Sequence, residues 1–290
     1  MITNEQGQMT YTYEELNMSD NIKIYDDHRN EIEMDNFQFS GGEEHVRIKV
    51  LRYYKNVNIH ARLKSSRDVM RLLLINDAIR RSTVSNVYCS ISYMPYSRQD
   101  RVCNEGEALS IKVMTDLINS CKFDLVSVYD VHSDVTTALL DRCISFSQSD
   151  IFNDNFKELL YGTEYIVISP DAGATKKAIK VAKDYELRMV EASKVRDTMT
   201  GNIVSTNVNG DVNGKDCFII DDICDGGRTF IELAKVLKAK GAKSVVLYVT
   251  HGIFSKGLEP LKEHIDHVYT TDTFCDLKSN EFLTVKEMEL

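Results

Sequence analysis

The sequence predicts an α/β protein of two domains, each built around a mainly parallel sheet flanked by helices. Short apolar runs alternate with stretches whose apolar residues recur every three or four positions, the pattern of strand–helix–strand units. Thirteen such elements are more than one compact sheet holds, and 290 residues suffice for two cores. A polar break at Ser147–Asp150 separates two series of these units, so residues 1–148 and 149–290 are read as the N-terminal and C-terminal domains.

In chain order, the apolar runs Val46–Val50, Asn86–Ile91 and Leu125–Tyr129 read as strands, with helical spacing over Arg67–Arg81 and Glu107–Cys121. After the break, Ile151–Leu160 reads as a helix, Tyr165–Ser169 as a strand, and Thr175–Tyr185 as a helix. Cys217–Ile220 is the next strand. Thr229–Lys240 follows as a helix, with Phe230, Leu233, Ala234, Val236 and Leu237 on its apolar face. Val245–Val249 and His267–Tyr269 read as strands on either side of a helix at Gly257–His264. Lys194–Gly210 stands apart: polar and without a sustained period, it is either a surface hairpin or a lid carrying Lys194 and Arg196.

Composition narrows the function. A net charge of −9 argues against a nucleic-acid surface, though a small anionic substrate needs only local positive charge. No run of about 18 apolar residues offers a membrane span. The first twenty residues, polar and acidic, have neither an apolar core nor an Arg-rich pattern, so export is not expected and the cytoplasm is. Seven cysteines without a CxxC or Cys/His pairing read as reduced thiols, Cys89 and Cys217 as packing residues, and zinc is not expected.

The most informative segment is Phe218–Thr229. An apolar run ends in Asp221 and Asp222, then Asp225, Gly226 and Gly227 form a turn, and a helix starts at Arg228-Thr229. A Gly-rich turn at a helix N-terminus presents backbone N–H groups and the positive end of the helix dipole to a phosphate. The adjacent carboxylates would repel that phosphate and suit sugar hydroxyls or a cation. The local reading is a phosphorylated sugar; the alternative is a buried strand whose acids cap the next helix.

Other segments carry weaker signals. In Ser92–Arg101, Arg98 and Arg101 offer planar donor forks for phosphate or a face to stack on a base, and Gln99 can read a base edge; a solvated charged loop is the alternative. His132 and Asp171 follow strands in adjacent modules, where open α/β sheets form their sites. Imidazole and carboxylate together with waters and phosphate oxygens would make a Mg²⁺ shell; a core histidine and a helix cap are the alternatives. Phe39-Ser40-Gly41-Gly42-Glu43 by itself is only a turn.

Set in order, these pieces resemble the ribose-phosphate diphosphokinase family, whose members make phosphoribosyl pyrophosphate (PRPP). FSGGE is similar to the family's FSDGE, YMPYSRQDR to its ATP segment YFGYARQDR, and DVH and PDAG to its two Mg²⁺ segments. Lys194-Val195-Arg196 resembles its catalytic flexible loop, and DDICDGGRT its ribose 5-phosphate loop; VTHGIFS and TTDTF match as well, the whole running over residues 37–285. The resemblance implies two type I phosphoribosyltransferase-like domains, Mg²⁺ dependence and ATP as diphosphoryl donor, with the product AMP. It implies homo-oligomers, dimers or hexamers, with no nucleic-acid or membrane partner. It further implies that Phe39, Glu43, Arg98, Gln99, Asp100 and Arg101 bind ATP, with Phe39 and Glu43 reaching a neighbouring subunit's site. His132 and Asp171 would hold Mg²⁺ and Lys194 and Arg196 would be catalytic. Asp221, Asp222, Asp225, Gly226, Gly227, Arg228 and Thr229 would bind the acceptor.

Three departures stand out: Gly41 replaces an acid, Gly226 replaces Thr, and Arg228 replaces Gly. YMPY in place of YFGY resembles a phage and plasmid branch associated with nicotinamide (NAD) salvage. For a phage protein the expected location is the bacterial host's cytoplasm. Some members of that branch use ADP-ribose in place of ribose 5-phosphate. The competing readings are a PRPP-consuming phosphoribosyltransferase, which would not need the RQDR segment, an inactive regulatory family member, and an RNA-binding regulator, which the acidic charge opposes.

Overall fold

A computed structural model of the chain describes residues 2–3, 9–10, 21–49, 54–196 and 203–288, without the side chains of 2–3, 9–10, 194–196 and 203–206. The chain folds as two compact units, residues 1–128 with 133–144, and residues 129–132 with 145–290.

The first unit opens with a short antiparallel pair, β1 (Ile2–Thr3) and β2 (Met9–Thr10). There follow β3 (Ile22–Tyr25), a hairpin of β4 (Met34–Gln38) and β5 (Glu44–Ile48), and β6 (Asn56–Arg62). Then come α1 (Ser66–Arg80), β7 (Asn86–Tyr93), α2 (Ser110–Ser120), β8 (Leu125–Tyr129), α3 (Asp134–Leu139) and β9 (Cys143–Phe146). The sheet order is β3-β6-β7-β8-β9, with β6, β7 and β8 parallel and β3 antiparallel to β6. Strand β6 alternates in burial: Val57, Ile59 and Ala61 are fully buried while the residues between them keep contact with solvent. On α1, Val69, Leu72, Ile75 and Ile79 form the apolar face, and on α2 Ile111, Met114 and Ile118 do. The hairpin is tied to α1 because Glu44, its side chain almost fully buried, accepts from Arg67 Nε at 2.9 Å and Arg71 Nε at 2.7 Å. Leaving either guanidinium unpaired there would cost more than the pair gains.

The second unit comprises α4 (Gln148–Phe156), β10 (Ile166–Ser169), α5 (Ala172–Asp184), β11 (Met189–Arg196), β12 (Ile203–Val208), β13 (Asp216–Cys224), α6 (Arg228–Ala239), β14 (Ser244–Gly252), α7 (Glu259–Lys262), β15 (His267–Thr271) and β16 (Leu283–Lys286). Its seven strands lie in the order β12-β11-β10-β13-β14-β15-β16, all neighbours parallel except the β11–β12 hairpin. Continuous apolar strands mark a sheet covered on both faces, and successive residues here do go to opposite cores. Ile166, Ile168, Cys217, Ile219, Val245, Leu247 and Val249 pack on one side with Phe230, Leu233 and Leu237 of α6. Val167, Phe218, Ile220, Val246 and Tyr248 pack on the other with Phe152 and Phe156 of α4 and Ala178 and Val181 of α5.

Several expected elements sit differently. The predicted strand Val46–Val50 is one arm of the antiparallel hairpin. The polar break Ser147–Asp150 is a helix start: the Ser147 hydroxyl and the Asp150 carboxylate bond each other's backbone N–H groups in a capping box. The helix expected at Gly257–His264 is only four residues long. Strands β1, β2, β3, β4, β6, β9 and β16 and helix α3 are additional to the predicted set, and β11 and β12 fall partly on the stretch read as a hairpin or a lid. Among the described residues no helix is long and apolar enough to cross a membrane. All seven cysteines are free thiols; burial pushes Cys217 up to about 11, in keeping with a packing role, and Cys89 is buried as well.

Candidate active site

At the carboxyl end of the second unit's sheet, polar side chains are gathered where the sheet itself is apolar. Asp130, buried and at φ 41°, accepts from Thr250 Oγ1 at 2.6 Å and Gln148 Nε2 at 3.0 Å, and pairs with Lys177 Nζ at 2.7 Å. Its carbonyl lies 3.2 Å from His251 Nε2, whose other ring nitrogen meets Thr273 Oγ1 at 2.8 Å. Lys177 reaches from α5 to the Val131 carbonyl at 3.1 Å and to Asp222 Oδ2 at 3.2 Å. The same Asp222 oxygen lies 2.8 Å from His132 Nδ1, and the His132 ring is 40% exposed.

Asp221 and Asp222, adjacent in β13, carry opposite shifts. Burial alone would raise Asp222, but the hydrogen bond from His132 and the charge of Lys177 outweigh it and hold this carboxyl well below the usual range. Asp221 is raised well above that range by desolvation first, then by the charges of Asp222 and of Asp171, although its Oδ1 accepts the Asp222 backbone N–H at 2.9 Å. A strand end with more carboxylates than cations to match them is a place where a sugar's hydroxyls or a divalent cation would relieve the crowding. His251, buried, is lowered by desolvation against the opposing pull of Asp130 and Asp222.

Downstream of the acids, the loop is pinned to the segment after β14: Cys224 O accepts from Ile253 N and Phe254 N at 2.9 and 3.0 Å, and Asp225 O from Ser255 N at 3.1 Å. Gly227 then starts α6 with φ 75°, where a Cβ would lie 2.9 Å from Leu261 Cδ2; no side chain caps this helix. The helices α4 and α5, by contrast, are capped by Ser147 and Asp171. Gly226 is different, since a Cβ there would meet only Lys256 Cγ at 3.5 Å and Ser255 Oγ at 3.9 Å, both ordinary contacts. Arg228 is exposed at the first helical position and makes no ion pair among the described residues. A cation is unfavourable at that end of a helix dipole, so its placement is not explained by helix stability.

Asp171 caps α5, its Oδ1 accepting from Gly173 N at 3.1 Å and Ala174 N at 3.2 Å, while its charge also reaches Asp221. Among the described residues no three His, Cys, Asp or Glu side chains form a ready metal cage. Lys194 and Arg196 end β11, paired in register with Thr206 and Ile203 of β12; their side chains lie outside the described residues, as do residues 197–202. In the described part of the stretch, residues 194–196 and 203–208 belong to two antiparallel strands.

In the first unit, the segment after β7 turns at Tyr96, whose φ of 63° is left-handed and whose hydroxyl lies 2.9 Å from Ser66 Oγ. Arg98 and Gln99 are exposed, and Arg101 grips Asp100 through two bonds of 2.8 and 3.1 Å. Phe39 and Glu43 close the β4–β5 hairpin, with Phe39 N donating to Glu43 O at 2.8 Å; Glu43 is exposed, and Phe39 lies edge-on to Phe37 with centroids 5.2 Å apart.

Of the residues expected at the site, the fold joins His132 to Asp222 directly and brings the Asp171 charge to Asp221. Sequence reasoning passed over Lys177, Asp130, Gln148, Thr250, His251 and Thr273. Asp130, Thr250, His251 and Thr273 lie inside the DVH, VTHGIFS and TTDTF segments, which was the available signal. Lys177 and Gln148 sit on helices with no local mark.

The fold and this strand-end site define a protein of the phosphoribosyltransferase class: residues 135–285 match the phosphoribosyl transferase domain model. Residues 21–121 match the N-terminal domain of ribose phosphate pyrophosphokinase. The ribose-phosphate pyrophosphokinase of Corynebacterium glutamicum is 35% identical over 71% of this chain and 65% of its own length. That of Pyrococcus furiosus is 32% identical over 81% of this chain and 84% of its own. The crystal structure of phosphoribosylpyrophosphate synthetase from Mycobacterium smegmatis superposes with a TM-score of 0.78 at 26% identity, covering 88% of this chain and 86% of that one. The chain belongs to the ribose-phosphate pyrophosphokinase family, and it spans about two thirds of the length of its Corynebacterium relative.

Proposed function

We propose that the chain transfers the β,γ-diphosphoryl group of ATP to the anomeric hydroxyl of a 5-phosphorylated ribose. The observation that carries this reading is the succession, at one strand end, of Asp221 and Asp222 and the uncapped N-terminus of α6. The first pair suits ribose hydroxyls and the second a phosphate. A bond forms between the C1 oxygen and the β-phosphorus, the bond from that phosphorus to the α,β-bridging oxygen breaks, AMP leaves, and the hydroxyl proton is lost. Such transfers depend on in-line positioning and on neutralising charge.

Asp221 and Asp222 hold the ribose hydroxyls. The loop Asp225-Gly226-Gly227-Arg228-Thr229 receives the 5′-phosphate through backbone N–H groups and the Thr229 hydroxyl. Lys194 and Arg196 stabilise charge on the group in transfer and, with their hairpin, exclude water. Arg98, Gln99, Asp100 and Arg101 bind ATP, and Phe39 and Glu43 serve the ATP site of a neighbouring subunit in a homo-oligomer. The crowded carboxylates around Asp221 fit a divalent cation, and His132 and Asp171 are the residues to hold Mg²⁺. When bound, that ion supplies positive charge to the phosphate oxygens.

Arg228 favours a second acceptor. A single 5′-phosphate is already served by backbone N–H groups, whereas the exposed guanidinium at the start of α6 can take a further phosphate in a bidentate fork, as in ADP-ribose. The test is mass spectrometry of the products formed from ATP with ribose 5-phosphate or with ADP-ribose, side by side. AMP with PRPP, or AMP with ADP-ribose pyrophosphate, is expected; no diphosphorylated product from either acceptor overturns the reading. Arg228→Gly should lower kcat/KM for ADP-ribose more than for ribose 5-phosphate, by ~1–3 kcal/mol. Equal losses on both acceptors, or no turnover of ADP-ribose by the parent, return the acceptor to ribose 5-phosphate alone.

A further inference from the structure

The turn after β14 carries a cation that the reaction above leaves unused. Phe254 adopts a left-handed φ of 48°, uncommon for an aromatic residue, and its buried ring lies so close to Gly252 that a Cβ there would stand 2.2 Å from Phe254 Cε2. Gly257, at φ 70°, closes the turn, its N–H donating to Phe254 O at 2.8 Å. The ring and the backbone bonds to Cys224 and Asp225 anchor residues 253–255, and Ser255 and Lys256 stand exposed beside the loop that leads into α6. Measured from where a Cβ of Gly226 would be, Lys256 Cγ is 3.5 Å away and Ser255 Oγ 3.9 Å. The Lys256 stem therefore lies along Gly226, and the Thr that the family has at this position would compete with it for space. Lys235, Lys238 and Lys262, on α6 and α7, each pair with a carboxylate at 2.6–3.0 Å. The Lys256 ammonium makes no hydrogen bond or ion pair among the described residues.

Lys256 and Arg228 are thus two cations without a carboxylate partner, both bordering the uncapped N-terminus of α6, an arrangement that repels itself unless an anion lies there. We propose that Lys256 determines acceptor specificity by binding, with Arg228, the second phosphate of a diphosphate-bearing acceptor. The inference rests on the acceptor site proposed above. There, a single 5′-phosphate takes the backbone N–H groups at the start of α6 and the Thr229 hydroxyl. A phosphate beyond it lies farther from the backbone, within reach only of long side chains. Arg228 offers that phosphate a planar fork and Lys256 a flexible point charge. Such a contact is made equally in the ground state and the transition state, so it acts on acceptor binding and not on kcat.

The test is calorimetric titration of the full-length protein with ADP-ribose and with ribose 5-phosphate, in the presence of Mg²⁺ and α,β-methylene-ATP, whose bridging carbon prevents transfer. Lys256→Met keeps the stem and removes the charge; the residue is exposed and unpaired among the described residues, so the fold is not at stake. It should weaken ADP-ribose about 10–30-fold, as loss of an exposed charge-assisted contact does, and ribose 5-phosphate less than ~3-fold. The loss should shrink as salt is added, and Lys256→Arg should retain most of the parental affinity. In turnover, KM for ADP-ribose should rise by a similar factor with kcat within about twofold. Equal weakening of both acceptors, no weakening of either, a loss that salt does not change, or a parent that does not bind ADP-ribose overturns the proposal. A protein that binds ADP-ribose through Lys256 yet makes no diphosphorylated product refutes the transferase reading and leaves this assignment standing. One that makes PRPP, with Lys256→Met unimpaired on both acceptors, does the reverse.

Discussion

Asp221 and Asp222 show how neighbouring residues of one type acquire different chemistry from their surroundings. Asp222 faces Lys177 and His132 and is held ionised; Asp221 faces burial and two further carboxylates and is pushed toward its neutral form. The linkage has opposite signs for the two. Asp222, with its folded pKa depressed, contributes stability that is present above the ordinary carboxylate pKa of about 4 and is lost as pH falls through the folded value. Asp221, with its folded pKa raised, costs stability that begins to accumulate as pH rises through about 4 and is complete above its folded value. Asp221→Asn should therefore raise the thermal midpoint at pH about 8 relative to pH about 4 while abolishing turnover; an equal shift at both pH values in thermal scans would contradict this. Lys194 stands in a polar stretch and should contribute little to stability. Lys194→Ala should lower kcat by roughly a hundredfold with little change in ATP affinity, as expected of a charge used only in the transition state. Near-normal kcat would remove Lys194 from the mechanism.

At the scale of elements, the turn between β13 and α6 separates two glycines that look alike in the sequence. Gly227 has both a left-handed φ of 75° and Leu261 Cδ2 2.9 Å from where a Cβ would stand, whereas Gly226 has ordinary room for one. Gly227→Ala should cost about 1–3 kcal/mol in urea unfolding, and Gly226→Ala less than ~0.5 kcal/mol; similar losses at both would refute this account of the turn. The long apolar strands were legible because parallel strands buried on both faces read as continuous hydrophobic runs. Leu125–Tyr129 coincides with β8 residue for residue. Strand β6 was not legible, although it is paired on both sides. Its inward residues Val57, Ile59 and Ala61 alternate with Asn56, Asn58, His60 and Arg62, and polar content conceals a strand that buries only alternate residues.

For the whole molecule, the ATP-binding role proposed for Phe39 and Glu43 would tie activity to assembly. If the hairpin serves a neighbouring subunit, Glu43→Ala and Asp222→Asn should each be inactive alone. Mixed under conditions that exchange subunits, they should recover about one quarter of parental activity, since half the dimers are mixed and each of those holds one intact site of two. No recovery despite proven exchange would place hairpin and acids in the same subunit's site.

The sequence by itself determined the α/β class, the family and the short segments of the site, because those depend on residues close together in the chain: an apolar run, a carboxylate pair, a glycine at a helix start. Only the tertiary structure decided which side chains meet. Lys177 and Gln148 come from helices, Thr250 and His251 from β14, and Asp130 from the turn that follows β8, and they converge on one buried centre through chain topology and helix docking. The opposite shifts of Asp221 and Asp222 were equally out of reach of the sequence, since they depend on what lies within a few ångströms of each carboxylate once burial has removed the water.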